Sequence, residues 1–385
     1  MKFIGYRRPD GKVGIRNHIA IIPTSVCSST VAFHIAAQVP GSIALPNQHG
    51  CCQIGTDHEQ TVNTLIGLGK NPNVAAVLVV GLGCEGVPIT KVAEQIKATG
   101  KPVETIIIQD NGGTIKATAE GVRIASSMSR AVSLLKPEEF DISELSLAIE
   151  CGGSDFTSGL GSNPAVGITS DFLTAAGGNV MLSETTEFIG AEHILAKRAK
   201  SPQIAKQIIQ IVKDCEERAK LQNVDIRGSQ PTPGNIEGGI SSIEEKSLGC
   251  IYKAGSAPIQ GVLKYGEIPN EKGLYIMDTP GQDIESITGM LAGGAQIVIF
   301  TTGRGTPTGS PIAPVIKITA NSETYAKMFD NIDIDASKII SGDKTIQDVG
   351  TEIFNEVIEV ANGKFTKAES LGHYEFGIYK IAPTF

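Results

Sequence analysis

Long hydrophobic runs are missing from this 385-residue chain. No apolar stretch reaches the roughly 18 residues that cross a bilayer, and the first residues, MKFIGYRRPDGK, contain no apolar signal core. A cytoplasmic protein without a membrane partner is therefore expected. Basic blocks are missing too. With a net charge of −8, a pI near 5.4 and no arginine–aromatic interleaving, nucleic acid is a poor partner and a small solute a good one. The seven cysteines include no C-x-x-C pair, and an odd count without a secretory signal argues against a disulfide framework. Reduced thiols are then free for metal binding or catalysis. No Gly-Lys-Ser/Thr phosphate loop is read, and no G-x-G-x-x-G is read as opening a βα unit, so no nucleotide cofactor is expected.

What is present is a βα rhythm. Over 1–140 it reads as strands at 18–23, 74–80 and 103–108, with helices at 27–38, near 58–68, at 88–98 and at 114–135. A weak, short strand precedes Cys51 at 42–45. The stretch 136–144, acidic and interrupted by Pro137, reads as a linker, and a second α/β domain with a C-terminal extension is placed at 145–385. Strands are read there at 145–149, 179–183, 274–277, 296–301 and 315–319. A long polar helix is placed over 191–222, an amphipathic segment at 284–291, and a Pro/Gly-rich crossing loop at 228–239. The fold class is α/β, as two Rossmann-like, mostly parallel three-layer units in one chain.

Three cysteines follow strand-like runs: Cys51 in NQHGCCQIG, Cys84 in GLGCEG and Cys151 in ECGGSD. Ligands bind outside the carboxyl ends of parallel strands, so these thiols can share a cleft despite their separation in sequence. His49 stands two residues before Cys51, and imidazole with thiolate suits iron, zinc or copper. Glu85 lies between glycines beside Cys84, where it can approach a substrate or favour the next helix N-terminus. Asp155 and Ser154 follow Cys151, with Pro164 marking a helix start. Arg304 sits in the TTGRG loop with Lys317 in the next strand, and a guanidinium fork matches a carboxylate. In ETTEFIGAEHI, Glu184, Glu187, Glu192 and His193 suit acid–base work or a helix's acidic first turn. Glu244, Glu245 and Lys246 read as a solvated helix face, and Cys27, Cys215 and Cys250 as structural.

Taken together, GYRRPDGKVGIRN, NQHGCCQIG, GLGCEG, ECGGSD with GSNPAVG, ETTEFIGAE, GGISSIEEKSLGC, DTPGQD and TTGRG with PVIKITAN resemble, in order, the large catalytic region of altronate and galactarate dehydratases. The resemblance implies removal of water from a sugar acid to give a 2-keto-3-deoxy acid, with iron as the associated metal. Sulfolactate sulfo-lyase large subunits look similar, and a non-catalytic solute-binding subunit is the alternative from another class. Single-chain members carry a small domain before the GYRR motif, so a separate small subunit and an oligomeric assembly are implied here. For such chemistry His49, Cys51, Cys84 and Cys151 are the metal-ligand candidates, for mononuclear Fe²⁺ or an iron–sulfur cluster. Glu85 and Asp155 are the acid–base candidates, and Arg304 with Lys317 the anion contacts.

Overall fold

A computed structural model describes all 385 residues. Fourteen strands form three sheets. In chain order they are β1 (Lys2–Arg7), β2 (Val13–Gly14), β3 (His18–Pro23), β4 (Ser42–Ala44), β5 (Val74–Gly81), β6 (Val103–Ile107), β7 (Glu138–Asp141), β8 (Ser146–Gly152), β9 (Asn179–Leu182), β10 (Ile259–Leu263), β11 (Gly273–Met277), β12 (Ile297–Thr302), β13 (Val315–Thr319) and β14 (Ile334–Asp335). The first unit is a parallel sheet of order β4-β3-β5-β6, and the second a parallel sheet of order β10-β11-β9-β8-β12-β13-β14. Both match the expected α/β class.

Strand β5 shows why these sheets are internal. All eight residues of VAAVLVVG are buried, as they must be in a parallel strand covered on both faces. One face packs on helices Val26–Ala36 and Thr114–Val132. The other meets Gly55–Lys70 and Ile89–Lys97, and behind these lies Asp283–Ala292, a helix of the second unit. A single apolar cluster runs from Val77 and Leu65 through Met290 to Phe300 and Met181, so the middle helical layer serves both sheets. The helix crossing there is close: a Cβ on Gly67 would lie 2.5 Å from the Ala292 carbonyl oxygen. Only glycine fits. The segment read as amphipathic, 284–291, is instead almost wholly buried because a sheet lies on either side of it. No helix is long and apolar enough to cross a membrane.

Three local expectations are corrected. The presumed linker 136–144 contains β7, which pairs antiparallel with β1. Phe140 drives this pairing by packing on Phe3 with ring centroids 6.1 Å apart, between exposed acidic neighbours. The long helix at 191–222 breaks into Glu192–Lys197 and Pro202–Leu221. Ser201 caps the second helix and Pro202 occupies its first turn, a start signal that interrupts the first. The crossing loop contains two short helices, Ile226–Ser229 and Pro233–Glu237.

The C-terminal tail stitches the two units together. Gln48 and His49 both reach the Ile378 carbonyl, Gln60 donates to the Tyr379 carbonyl, and the Ile381 N–H donates to Asp57. Tyr379 packs on Tyr265 of the second unit. Nearer the other edge, Arg16 is buried and forks onto both Glu369 carboxylate oxygens at 2.7 and 2.9 Å, while also donating to the Val360 and Lys364 carbonyls. Losing one member of such a pair strands a buried charge, which costs about 3–5 kcal/mol. Arg16→Ala should therefore lower stability by that order in urea unfolding. An unchanged midpoint would show that the fork carries no such weight.

Candidate active site

Local capping shapes the rim of the first unit. Glu85 accepts from the Thr24 hydroxyl at 2.5 Å and from the Leu82 and Gly83 N–H groups at 2.9 and 2.6 Å. Burial opposes its ionisation, but these donors outweigh burial and hold the carboxyl below its usual range. GLGCEG, which follows β5, does have the G-x-G-x-x-G spacing of a dinucleotide loop, which corrects the expectation that none opens a βα unit. Its leading amides are taken by Glu85 itself, so the place where a pyrophosphate would bind is filled from within. The Gly86 and Val87 N–H groups donate to the Gly50 carbonyl and join this loop to the NQHGCC loop. Cys51, Cys52 and Cys84 are exposed there, with the Cys51 and Cys52 sulfurs 3.7 Å apart.

The second unit's carboxyl edge holds a buried cluster. Cys151 is the penultimate residue of β8, Glu184 follows β9 with a left-handed φ of 68°, and Cys250 lies on helix Ile243–Ile251, just ahead of Lys253. The Cys151 thiol donates to Glu184 Oε1 at 3.6 Å and lies 3.8 Å from Cys250 Sγ. Its backbone N–H donates to Glu184 Oε2 at 2.9 Å, and Lys253 Nζ reaches the same oxygen at 2.7 Å. All four residues are at most 4% exposed. On the other face of β8, toward helix Asp283–Ala292, Glu150 Oε2 accepts from Ser183 and Ser286, while Glu150 Oε1 is buried without a partner.

The charges follow from this crowding. The bond to Cys250 and burial push the Cys151 thiol well above its usual range. Burial, then the neighbouring Glu184, does the same to the Glu150 carboxyl. Burial opposes the Lys253 cation, but the acidic groups around it, with Glu184 Oε2 in contact at 2.7 Å, hold its pKa well above the usual range. Burial, reinforced by Glu184, lifts Asp283 to about 7.

Cys151, Glu184 and Cys250 are the one group of three or more metal-type donors whose ligand atoms all lie within 4.8 Å of one another. Two thiols with a carboxylate suit a divalent transition ion. Among the sequence candidates, Cys151 falls in this cluster, whereas His49, Cys51 and Cys84 sit on the first unit's rim. His49 Nε2 lies 3.2 Å from the Ile378 carbonyl oxygen. Asp155 is buried under Thr157, Ser158 and Asn321, all donating to it. Arg304, half exposed, donates to the Gly234 carbonyl and to Glu237, both at 2.9 Å. Lys317 is fully buried and holds the Pro307 and Thr308 carbonyls from below the TTGRG loop.

Cys250 is a residue the sequence reading set aside as structural, and Lys253 is one it did not single out. Their spacing of three places both on one helix face, a signal that gains meaning only beside β8. The reading of Lys246 is corrected. The residue is not on a solvated face but pairs with Glu187 at 2.9 Å, with only 13% of its side chain exposed.

Parallel sheets carrying a buried donor set and capped loops at their carboxyl ends define the layout of an α/β enzyme. Comparison with known proteins makes this specific. Residues 142–384 match the family model described as D-galactarate/Altronate dehydratase, C-terminal, and residues 5–133 that of D-galactarate dehydratase/Altronate hydrolase, second domain. The chain belongs to this family and is an enzyme of the lyase kind. It is 39% identical to the (2R)-sulfolactate sulfo-lyase subunit beta of Chromohalobacter salexigens, over 98% of this chain and 97% of that one. It is 36% identical to altronate dehydratase of Bacillus subtilis, over 99% of this chain and 78% of that protein. Galactarate dehydratase (L-threo-forming) of Escherichia coli is 33% identical, over 99% and 77% respectively.

Burial pushes the Lys317 ammonium down to about 8, whereas an unfolded chain holds that proton to about 10.4. Between these values the unfolded state binds more protons, so this residue's contribution to stability rises with pH. The stability difference between the wild type and Lys317→Met should accordingly grow from pH 8 to pH 10 in denaturant titrations. Parallel pH curves would refute the assigned direction.

Proposed function

We propose that this chain is the catalytic large component of a lyase that performs β-elimination on a 2-hydroxy carboxylate. The substrate class is a sugar acid of the altronate or galactarate type. In the reaction the proton α to the carboxylate leaves, the C3–O bond breaks as hydroxide departs to form water, and the enol tautomerises to the 2-keto-3-deoxy acid. The observation that carries this reading is the Cys151–Glu184–Cys250 set at the strand ends of a chain in this family. A ferrous ion held there would supply Lewis-acid polarisation of the substrate's carboxylate or hydroxyl.

The chain's own residues supply the remainder. Lys253 neutralises Glu184 and orients it toward Cys151. Asp283, lifted to about 7, is matched to proton exchange at neutral pH and joins Glu85 and Asp155 as an acid–base candidate. Arg304, half exposed at the same edge, is the anion contact, with Lys317 bracing its loop from below. The buried set contains two thiols, which favours a single iron ion; a cluster would need further thiolate donors. His49, Cys51 and Cys84 remain candidates for such ligation at the first unit's rim. A separate small subunit as partner fits the sulfo-lyase relative, which is itself named a subunit.

That relative also favours a second reading, because it is matched over 97% of its length: the leaving group would be sulfite and the substrate sulfolactate. The two readings share the α-proton step and differ in the departing group.

Both are tested by assaying the anaerobically purified chain, with Fe²⁺ and with a candidate small subunit, against aldonates, aldarates and sulfolactate. Keto-deoxy acid identifies the first reading, sulfite the second, and neither product from any mixture would sink both. Iron without acid-labile sulfide is expected. Cys250→Ser should lower iron retention and turnover by roughly 100-fold or more, given that even supporting groups around metals cost 10–100-fold. Iron content and rate unchanged in this variant would remove the donor set from the proposal.

A further inference from the structure

Two buried ion pairs link the same two elements. Glu184 and Glu187 flank the turn after β9, and Lys253 and Lys246 lie on or just beyond helix Ile243–Ile251. The first pair, Glu184–Lys253, is sealed into the donor cluster. The second, Glu187–Lys246, instead lines a cavity of about 280 Å³ together with Thr186, Gln230, Thr232 and Gly281. Lys246 precedes Cys250 by one helical turn, so the cavity wall and the donor cluster share one face of this helix.

The hydrogen-bond inventory of the pair is incomplete. An ammonium has three N–H donors. Lys246 uses them on Glu187 Oε1 at 2.9 Å and Gln230 Oε1 at 3.3 Å, which leaves one over. Glu187 Oε2 is buried with no partner at all. One cationic donor and one carboxylate acceptor, adjacent and both unfilled, complement a carboxylate with a neighbouring hydroxyl. The cavity also has an enforced floor. A Cβ on Gly281 would stand 2.2 Å from the Thr186 hydroxyl, so any other residue there would displace the Thr186 side chain that lines the cavity.

We propose that this cavity is the binding site for the 2-hydroxy carboxylate group, with the acid on Lys246 and the hydroxyl donating to Glu187 Oε2. The assignment rests on the lyase reading for its substrate class and adds the residues that recognise it. Glu187 and Lys246 are binding residues in this scheme, and the metal donors are separate from them.

Calorimetry on the metal-loaded chain tests this without requiring turnover, using tartrate and succinate, which lacks both of its hydroxyls, as probes. Wild type should bind tartrate at least tenfold more tightly than succinate, since a site built for a hydroxyl leaves its acceptor unpaired with the deoxy acid. Lys246→Met should weaken both acids by roughly tenfold to a hundredfold, the range of a charge-assisted hydrogen bond. Glu187→Gln should erase the preference for tartrate while still binding succinate, a result that misfolding cannot produce. Equal binding of tartrate and succinate by wild type, or undiminished binding by Lys246→Met, would overturn the site. Absence of any elimination product from an otherwise normal binder would instead sink the lyase reading and leave the site standing.

Discussion

Every parallel sheet must cover both of its faces, and here two sheets meet that demand with one shared layer of helices. Helices Gly55–Lys70 and Ile89–Lys97 from the first unit and Asp283–Ala292 from the second pack into a single apolar cluster between them. Close approach at Gly67 and Ala292 fixes how these helices cross. Because Asp283 begins the shared helix, the carboxyl edge of the second sheet is located by contacts that belong to the first. The two units therefore share their core as well as their chain.

At that edge, burial and charge act in opposite directions on neighbouring groups. Desolvation lifts Glu150 and Asp283, and the bond to Cys250 together with burial lifts Cys151, toward their neutral forms, while the same crowding of acids stabilises Lys253 as a cation. One permanent positive charge among several potential anions is a stable resting arrangement. A divalent ion would draw the thiol protons away and restore balance at a new state, because thiolate ligation and proton release are linked. Buried ion pairs contribute little net stability and are kept where geometry matters, which suits a centre that must hold donors in register.

Strands and helices with strong internal periodicity were legible from sequence, β5 most clearly, because an eight-residue apolar run has few other places to go. What escaped was decided by partners distant in sequence. Strand β7 presents one buried residue, Phe140, among acidic ones, and only β1 and Phe3 reveal the pairing. Cys250 and Lys246 sit in a charged helical stretch that resembles a solvated face until Glu184 and Glu187 come to lie against it. GLGCEG carries the spacing of a phosphate loop, and the one residue that turns its amides inward, Glu85, is within the motif. The resemblance of the motifs supplied the chemistry; the fold showed which side chains stand near one another.

The tail that crosses from Tyr265 to the NQHGCC loop gives the rim a history as well as a shape. His49 and Asp57 wait for partners 329 and 324 residues further along the chain, so the first sheet can form early while its thiol-bearing rim stays open. Contacts of such separation are the last to be recovered as loop-closure entropy is overcome. A chain emerging from the ribosome would thus order the first sheet before the seam between the units, and the loop that carries Cys51 and Cys52 would gain its contacts with Ile378 and Phe385 last.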